Sequence, residues 1–222
     1  MTGQGNRFST RLTIKLQYMT LGIKEYPVTK MSREESRSWF RNYLIVMHSI
    51  IRASVPLMNA ALHRCRETEG DKLLSMLGKY YQKHMIEEMH HDEWALDDLE
   101  SIGFTHQQSF SQKPSQSVAE LVGSQYYWIY HWHPVCLLGY ISFLEGAPPE
   151  QDQVEKLMDV TGYPETAFRT LSKHSTLDPN HRDDLNLLID ELPLSSDHEK
   201  WITSNALYTA SKFSKITESI LG

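Results

Sequence analysis

The chain has 222 residues, a formal net charge of −6, and 40% hydrophobic and 23% charged residues. That length suits one domain able to bury a full core. The acidic balance argues against a nucleic-acid module, whose footprint is a basic patch. The two cysteines, Cys65 and Cys136, lie in apolar or amphipathic runs and read as buried thiols, not as a disulfide framework.

Residues 1–30 read as an N-terminal arm or extension, and residues 31–222 as a helical domain. In the arm, Leu12, Ile14 and Leu16 alternate and Pro27 closes the segment, as in a short strand or an arm laid on the body. Arg7, Arg11, Lys15 and Lys24 interrupt any apolar leader. No stretch approaches the apolar length that spans a bilayer. The expectation is a cytoplasmic protein with no membrane partner.

Ser32-Arg33-Glu34-Glu35 has the form of a capping box. The helix it opens should run through Trp39, Tyr43 and Ile50 toward Arg66, bent at Pro56. A second long helix should follow Gly70, with Leu73, Leu77, Tyr81, His84, Glu88, His91, Ala95 and Leu99 at helical spacing and Gly103 as its stop. Phe104 to Pro114 reads as a polar loop. Ser117-Val118-Ala119-Glu120 opens a further helix that reaches Glu145 in two pieces around Pro134. Short helices are expected over roughly 150–161 and 164–176, from Pro179 through Leu192, and from about Asp197 to Leu221. The fold class is all-α, a bundle of about seven helices around one core.

Three segments place acids and histidines where a helical core would otherwise carry leucine. Glu88 and His91 are three residues apart, and a Glu-x-x-His pair pointing into a bundle is a ligand pair of di-iron carboxylate proteins. His174, Asp178 and His181 fall within about 60° of arc on a helix. Glu145 closes a strongly apolar run, where an uncompensated buried carboxylate would demand a cation or a proton. Alone, each has an ordinary reading: a charged face, a turn at Asp178-Pro179-Asn180, a helix-end charge. Together they supply three carboxylates and three imidazoles, enough for two divalent ions with room for oxygen or solvent.

These residues resemble the haem-oxygenase-like di-iron oxidases, the iron-containing redox enzymes. The likeness rests on Glu88-x-x-His91 and the run from Asp92 to Gly103, on Leu138-Gly139-Tyr140 leading to Glu145-Gly146, and on His174-x3-Asp178-x2-His181. It spans roughly residues 35–215. It implies a seven-helix haem-oxygenase-like fold, shared with thiaminase II and pyrroloquinoline quinone synthase. It also implies two iron ions, used as Fe(II) with dioxygen. Glu88, His91 and His174 would bind one, and Glu145, Asp178 and His181 the other, with the second site labile. Such enzymes oxidise, fragment or decarboxylate amino acids or fatty acids, so the expected partner is a small organic substrate. Pro179 lies inside the most specific motif and threatens its helix.

Around this set, His84 is placed to hydrogen-bond a ligand, and Tyr127, His131 and Tyr140 are candidates for a pocket wall. His48, His63, His106 and His198 read as exposed or half-buried. Arg52 and Arg169 are candidate partners for a substrate carboxylate. The rival on the same fold is a metal-independent thiaminase-II-like hydrolase, with Cys136 as its thiol, or a cofactor-dependent oxidase. A haem-binding relative using His48 fits the acidic helices poorly, and a non-catalytic interaction protein ranks last, because acid–histidine clusters buried for no chemical reason would be expensive. A homodimer is the expectation on base rates.

Overall fold

A computed structural model describes residues 7–20, 30–146 and 148–220. Pro27 and the rest of 21–29 lie outside the described residues. All regular structure among the described residues is helical: α1 (Phe8–Thr20), α2 (Arg33–Ile51), α3 (Ser54–Arg66), α4 (Lys72–Glu87), α5 (His91–Ser101), α6 (His106–Phe110), α7 (Gln116–His131), α8 (Leu137–Leu144), α9 (Gln151–Thr161), α10 (Arg169–Glu191) and α11 (Ser196–Ile220), with 3-10 turns at Pro134–Cys136 and Glu165–Phe168.

There are more helices than the expected seven because long amphipathic runs are broken in ways periodicity does not register. The first break lies at Arg52–Ala53, between α2 and α3, not at Pro56 itself. A proline ring clashes with the carbonyl four residues upstream, here that of Arg52. The second break separates α4 from α5 at residues 88–90, where His90 takes the left-handed conformation with φ 71°. The strand alternative for the N-terminal segment gives way to α1: Phe8, Leu12 and Leu16 recur every fourth position and are buried, while Ile14 is exposed. Ser9 pins α1 to α10 through hydrogen bonds to Asp190 from both its backbone N–H (3.1 Å) and its hydroxyl (2.7 Å). Within the expected polar loop, Thr105 caps the short α6. Ser115, not Ser117, caps α7 by accepting from the Val118 N–H.

One expectation fails in the opposite direction. α10 is continuous from Arg169 to Glu191 with Pro179 inside it, where two shorter helices were expected. A single helix therefore carries His174, Asp178 and His181. The stretch Arg33–Arg66 also contradicts the reading that no segment is apolar enough to span a bilayer: an 18-residue window there reaches a mean hydropathy of 1.4. Half of that window is buried inside the bundle.

The core has two apolar clusters. The larger joins Leu57, Leu77, Tyr81, Leu121, Leu138, Leu185 and Ala206, and the smaller joins Phe40, Leu44, Leu99, Leu157 and Phe168. Helices α8 and α11 pack so closely that a Cβ on Gly139 would lie 2.3 Å from the Ile202 carbonyl oxygen. Only glycine fits there, which accounts physically for the Leu138-Gly139-Tyr140 motif. Gly146, just after Glu145, is equally constrained, since its Cβ would lie 2.3 Å from the Ser142 carbonyl oxygen.

Candidate metal centre

The breaks and continuities in the helices bring the six expected ligands together. Glu88 is the C-cap of α4 and His91 the first residue of α5. The left-handed turn at His90 joins them, so the pair lies across a bend instead of along one helix face. His90 points outward to Glu93 (2.8 Å), whereas His91 is buried, which settles the register of the two histidines. His91 stacks on Trp94 with ring centroids 3.9 Å apart. Glu145 is the C-cap of α8 and is buried.

Glu88 occupies the middle. Its Oε1 lies 3.2 Å from His91 Nδ1 and 3.5 Å from His181 Nδ1. The rings of His91 and His174 meet edge to face at 5.4 Å. His174 Nδ1 lies 2.8 Å from Asp178 Oδ1, one helical turn along α10. His84 Nε2 lies 2.6 Å from Glu145 Oε1, and the His84 and His181 rings meet edge to face at 5.1 Å. One donor atom each from His84, Glu88, Glu145 and His181 can be chosen so that all lie within 4.8 Å of one another.

The electrostatics follow from burial. Burial pulls the His84 imidazole down, but hydrogen bonding and charge from Glu145 prevail and raise it to about 9. Burial raises the Glu145 carboxyl against His84. Both shifts describe one proton held between the two groups. His174 is also raised, because Asp178 outweighs its burial. For Glu88 burial acts upward, yet the surrounding imidazoles leave its carboxyl below the ordinary value.

Four donor atoms in this group are buried without a hydrogen-bond partner: His91 Nδ1, His174 Nε2, His181 Nδ1 and Glu145 Oε2. Buried polar atoms are otherwise nearly always satisfied. A convergent set of unsatisfied nitrogen and carboxylate donors fits a transition-metal ion of intermediate softness, which accepts both. The residues present therefore fit iron.

The cluster sits on a cavity of about 670 Å³, whose wall includes His84, Glu88, Glu145, His174 and Asp178. Apolar side chains such as Trp39, Leu57, Met58 and Leu137 form much of the remainder, and Leu12 and Leu16 of α1 cover one side. Tyr140 and Ser142 line the cavity with buried, unpartnered hydroxyls.

Two of the proposed wall residues lie elsewhere. Tyr127 and His131 are exposed and pack on each other with ring centroids 4.9 Å apart. α7 buries Leu121, Gln125 and Ile129, and residues 127 and 131 fall on the opposite side. Arg52 is exposed, and Arg169 pairs with Asp97; neither lines the cavity. The cavity's guanidinium is that of Arg182, which its position beside His181 could have suggested. His48 is buried against Phe110, not exposed or half-buried. Cys136 is buried, outside the cavity wall, and burial pushes its thiol up to about 12.

No curated protein matches the chain. Among solved structures, the chain resembles a domain of unknown function with a haem oxygenase-like fold from Shewanella denitrificans (TM-score 0.75, 15% identity, 95% of this chain and 88% of that one). It also resembles a TenA homologue from Pseudomonas syringae pv. tomato (TM-score 0.72, 13% identity, 99% and 97%). A third is a CADD-like protein of unknown function from Nostoc punctiforme (TM-score 0.67, 15% identity, 96% and 94%). At these identities the likeness establishes the fold, which is haem-oxygenase-like. The model of the iron-containing redox enzyme family matches residues 53–207, well over half the chain and the whole of the donor cluster, and the chain belongs to that family.

Proposed function

We propose that this protein is a non-haem di-iron oxidase or oxygenase acting on a small organic substrate of amino-acid or fatty-acid type. The observation that carries the reading is the convergence of buried imidazole and carboxylate donors beside a largely apolar cavity, with His174 Nε2 and Glu145 Oε2 left without any partner and His91 Nδ1 and His181 Nδ1 meeting only the Glu88 carboxylate. Glu88, His91, Glu145, His174, Asp178 and His181 would hold two ferrous ions. The ions, when bound, supply the electrons that activate dioxygen. The chain's own groups do the rest. Asp178 orients the His174 ring through Nδ1 and leaves Nε2 facing inward. Trp39, Leu57 and Met58 exclude water from the reacting volume. Arg182, whose Nε and Nη2 both donate to Asp183 at 3.2 Å, is the guanidinium a substrate carboxylate would meet by displacing that contact, and the Tyr140 and Ser142 hydroxyls offer further polar contacts.

The rival reading, a thiaminase-II-like hydrolase, needs an activated nucleophile facing the substrate. Cys136 is a poor candidate, since its thiol is buried away from the cavity and disfavours the thiolate. Two buried, unpaired cysteines also agree with a reducing, cytoplasmic setting. A homodimer is part of the same proposal.

The test is anaerobic loading with Fe(II), followed by metal analysis and oxygen exposure, beside a His174→Ala/His181→Ala double variant. The expected result is about two irons per chain and a transient absorption band in the wild type, both lost in the variant. Equal, negligible iron in the two proteins would overturn the reading.

A further inference from the structure

The six-residue set leaves His84 outside the metal centre. We propose that His84 is itself a metal ligand, a seventh donor that joins Glu145 and His181 around one of the two ions. The inference rests on the metal-dependent reading above.

The geometry of His84 is that of a ligand. Its side chain is 3% exposed and lines the cavity beside Glu88 and Glu145. It belongs to the group with Glu88, Glu145 and His181 whose donor atoms lie within 4.8 Å of one another. Donors on one ion with bonds of about 2.1 Å lie at most about 4.2 Å apart. The widest pair must therefore close by up to about 0.6 Å, and adjacent donors must draw to about 3 Å, for the group to share an ion. Three of its members come from separate elements, α4, the end of α8 and α10, so side-chain rotations suffice for that contraction.

The second nitrogen separates a ligand from a mere hydrogen-bonding partner of Glu145. His84 Nδ1 lies 3.3 Å from Glu87 Oε2. Ligating histidines ordinarily give their outer N–H to a carboxylate, which fixes the tautomer and aims the other nitrogen at the metal. Glu87 stands in that outer place, and Nε2 is aimed at the Glu145 carboxylate inside the cluster. The hydrogen at the 2.6 Å contact between His84 Nε2 and Glu145 Oε1 stands in for the cation. On binding, that proton leaves and both atoms turn to the ion. Glu145 Oε2 and His181 Nδ1, buried and without a hydrogen-bond partner in the same group, gain a partner at the same moment.

The test uses the full chain, stripped of metal and titrated with Co(II), a paramagnetic substitute. The proton NMR spectrum of the loaded protein should show exchangeable, strongly shifted imidazole N–H signals, one for each of His84, His91, His174 and His181. Histidine-selective ¹⁵N labelling identifies them as ring protons. In His84→Gln, whose side-chain amide can still hydrogen-bond Glu145, one signal should vanish and the weaker Co(II) affinity should fall at least about tenfold. A His84→Gln protein with wild-type affinity and an unchanged signal count would overturn the ligand role and leave the metal reading standing. If that variant does not fold, the wild-type count decides: signals from only His91, His174 and His181 overturn the proposal. A wild-type protein that binds no Co(II) and shows no shifted signals removes both the proposal and the metal reading.

Discussion

Asp98 shows how one buried carboxylate positions the centre without touching it. It is fully buried on α5 and accepts hydrogen bonds from the backbone N–H groups of Arg169 (3.1 Å) and Thr170 (2.9 Å), capping the start of α10 from a neighbouring helix. Burial pushes its carboxyl up to about 6, against those hydrogen bonds. A folded-state value above the unfolded 3.8 means that protonation favours the folded state. The proton-linked contribution is fully present below 3.8 and is lost as pH rises through about 6. Urea unfolding of the wild type and of Asp98→Asn, compared between about pH 4 and pH 7, should show the wild type losing stability relative to the variant as pH rises. A pH-independent difference would mean that the carboxylate stays ionised throughout. His90 is the other instructive residue. It is the only non-glycine with positive φ among the described residues, and its left-handed turn aims Glu88 and His91 at each other. Backbone strain of this kind collects at functional sites.

At the scale of elements, α10 departs furthest from local preference. Proline in a helix interior is disfavoured by about 3 kcal/mol relative to alanine, yet α10 runs through Pro179. The Ser175 carbonyl lacks its usual N–H partner there, and the segment between His174 and His181 is the one that must aim two imidazoles at other helices. Pro179→Ala should restore the hydrogen bond, stabilise the protein by up to about 3 kcal/mol and raise its Tm. The same change should weaken metal binding by altering the turn of α10 that carries Asp178 and His181. Calorimetry and a metal-competition titration on one preparation test both halves. A variant that gains stability and keeps wild-type affinity would show that the proline has no part in aiming the ligands. α8 makes a complementary point. The close approach at Gly139 fixes its position on α11, and the geometry of Glu145 at its end depends on that contact.

Taken whole, the molecule places its donors along the seam between two apolar clusters. α4 lies mainly in the larger cluster and Leu99 of α5 in the smaller, so the chain crosses the seam at Glu88–His91. α10 crosses it as well, with Leu171 in the smaller cluster, Leu185 and Ile189 in the larger, and the three motif residues between. The two ions, if bound there, would between them tie α4, α5, α8 and α10 together, and metal and fold should be thermodynamically linked. Metal present at a hundredfold excess over its Kd adds about 2.7 kcal/mol to stability. Chelation should therefore lower Tm by several degrees, and the His174→Ala/His181→Ala protein should show no chelator-dependent shift. Identical shifts in both proteins would place the metal elsewhere.

The helical class and most helix ends were legible in the sequence, as were the residue types of Glu88, His91, Glu145, His174, Asp178 and His181 that make them candidate ligands, because side-chain periodicity and residue type are local properties. So was the break near Pro134, since proline acts through its own ring. Other features depended on residues distant in the chain. α10 passes through Pro179 because Asp98 caps one end and the two clusters hold its flanks. α4 ends at Glu87 because His91 and Leu99 are drawn to different neighbours than Leu77 and Tyr81 are. Tyr127 and His131, rich in apparent chemistry, lie on the outside because Leu121, Gln125 and Ile129 claim the inner face of α7. His84 met Glu145 across 61 positions of sequence. Residue types thus determined which groups could hold a metal. Tertiary packing alone decided which of them are buried together, because burial and convergence arise from contacts between helices and leave no trace in the spacing along any one of them.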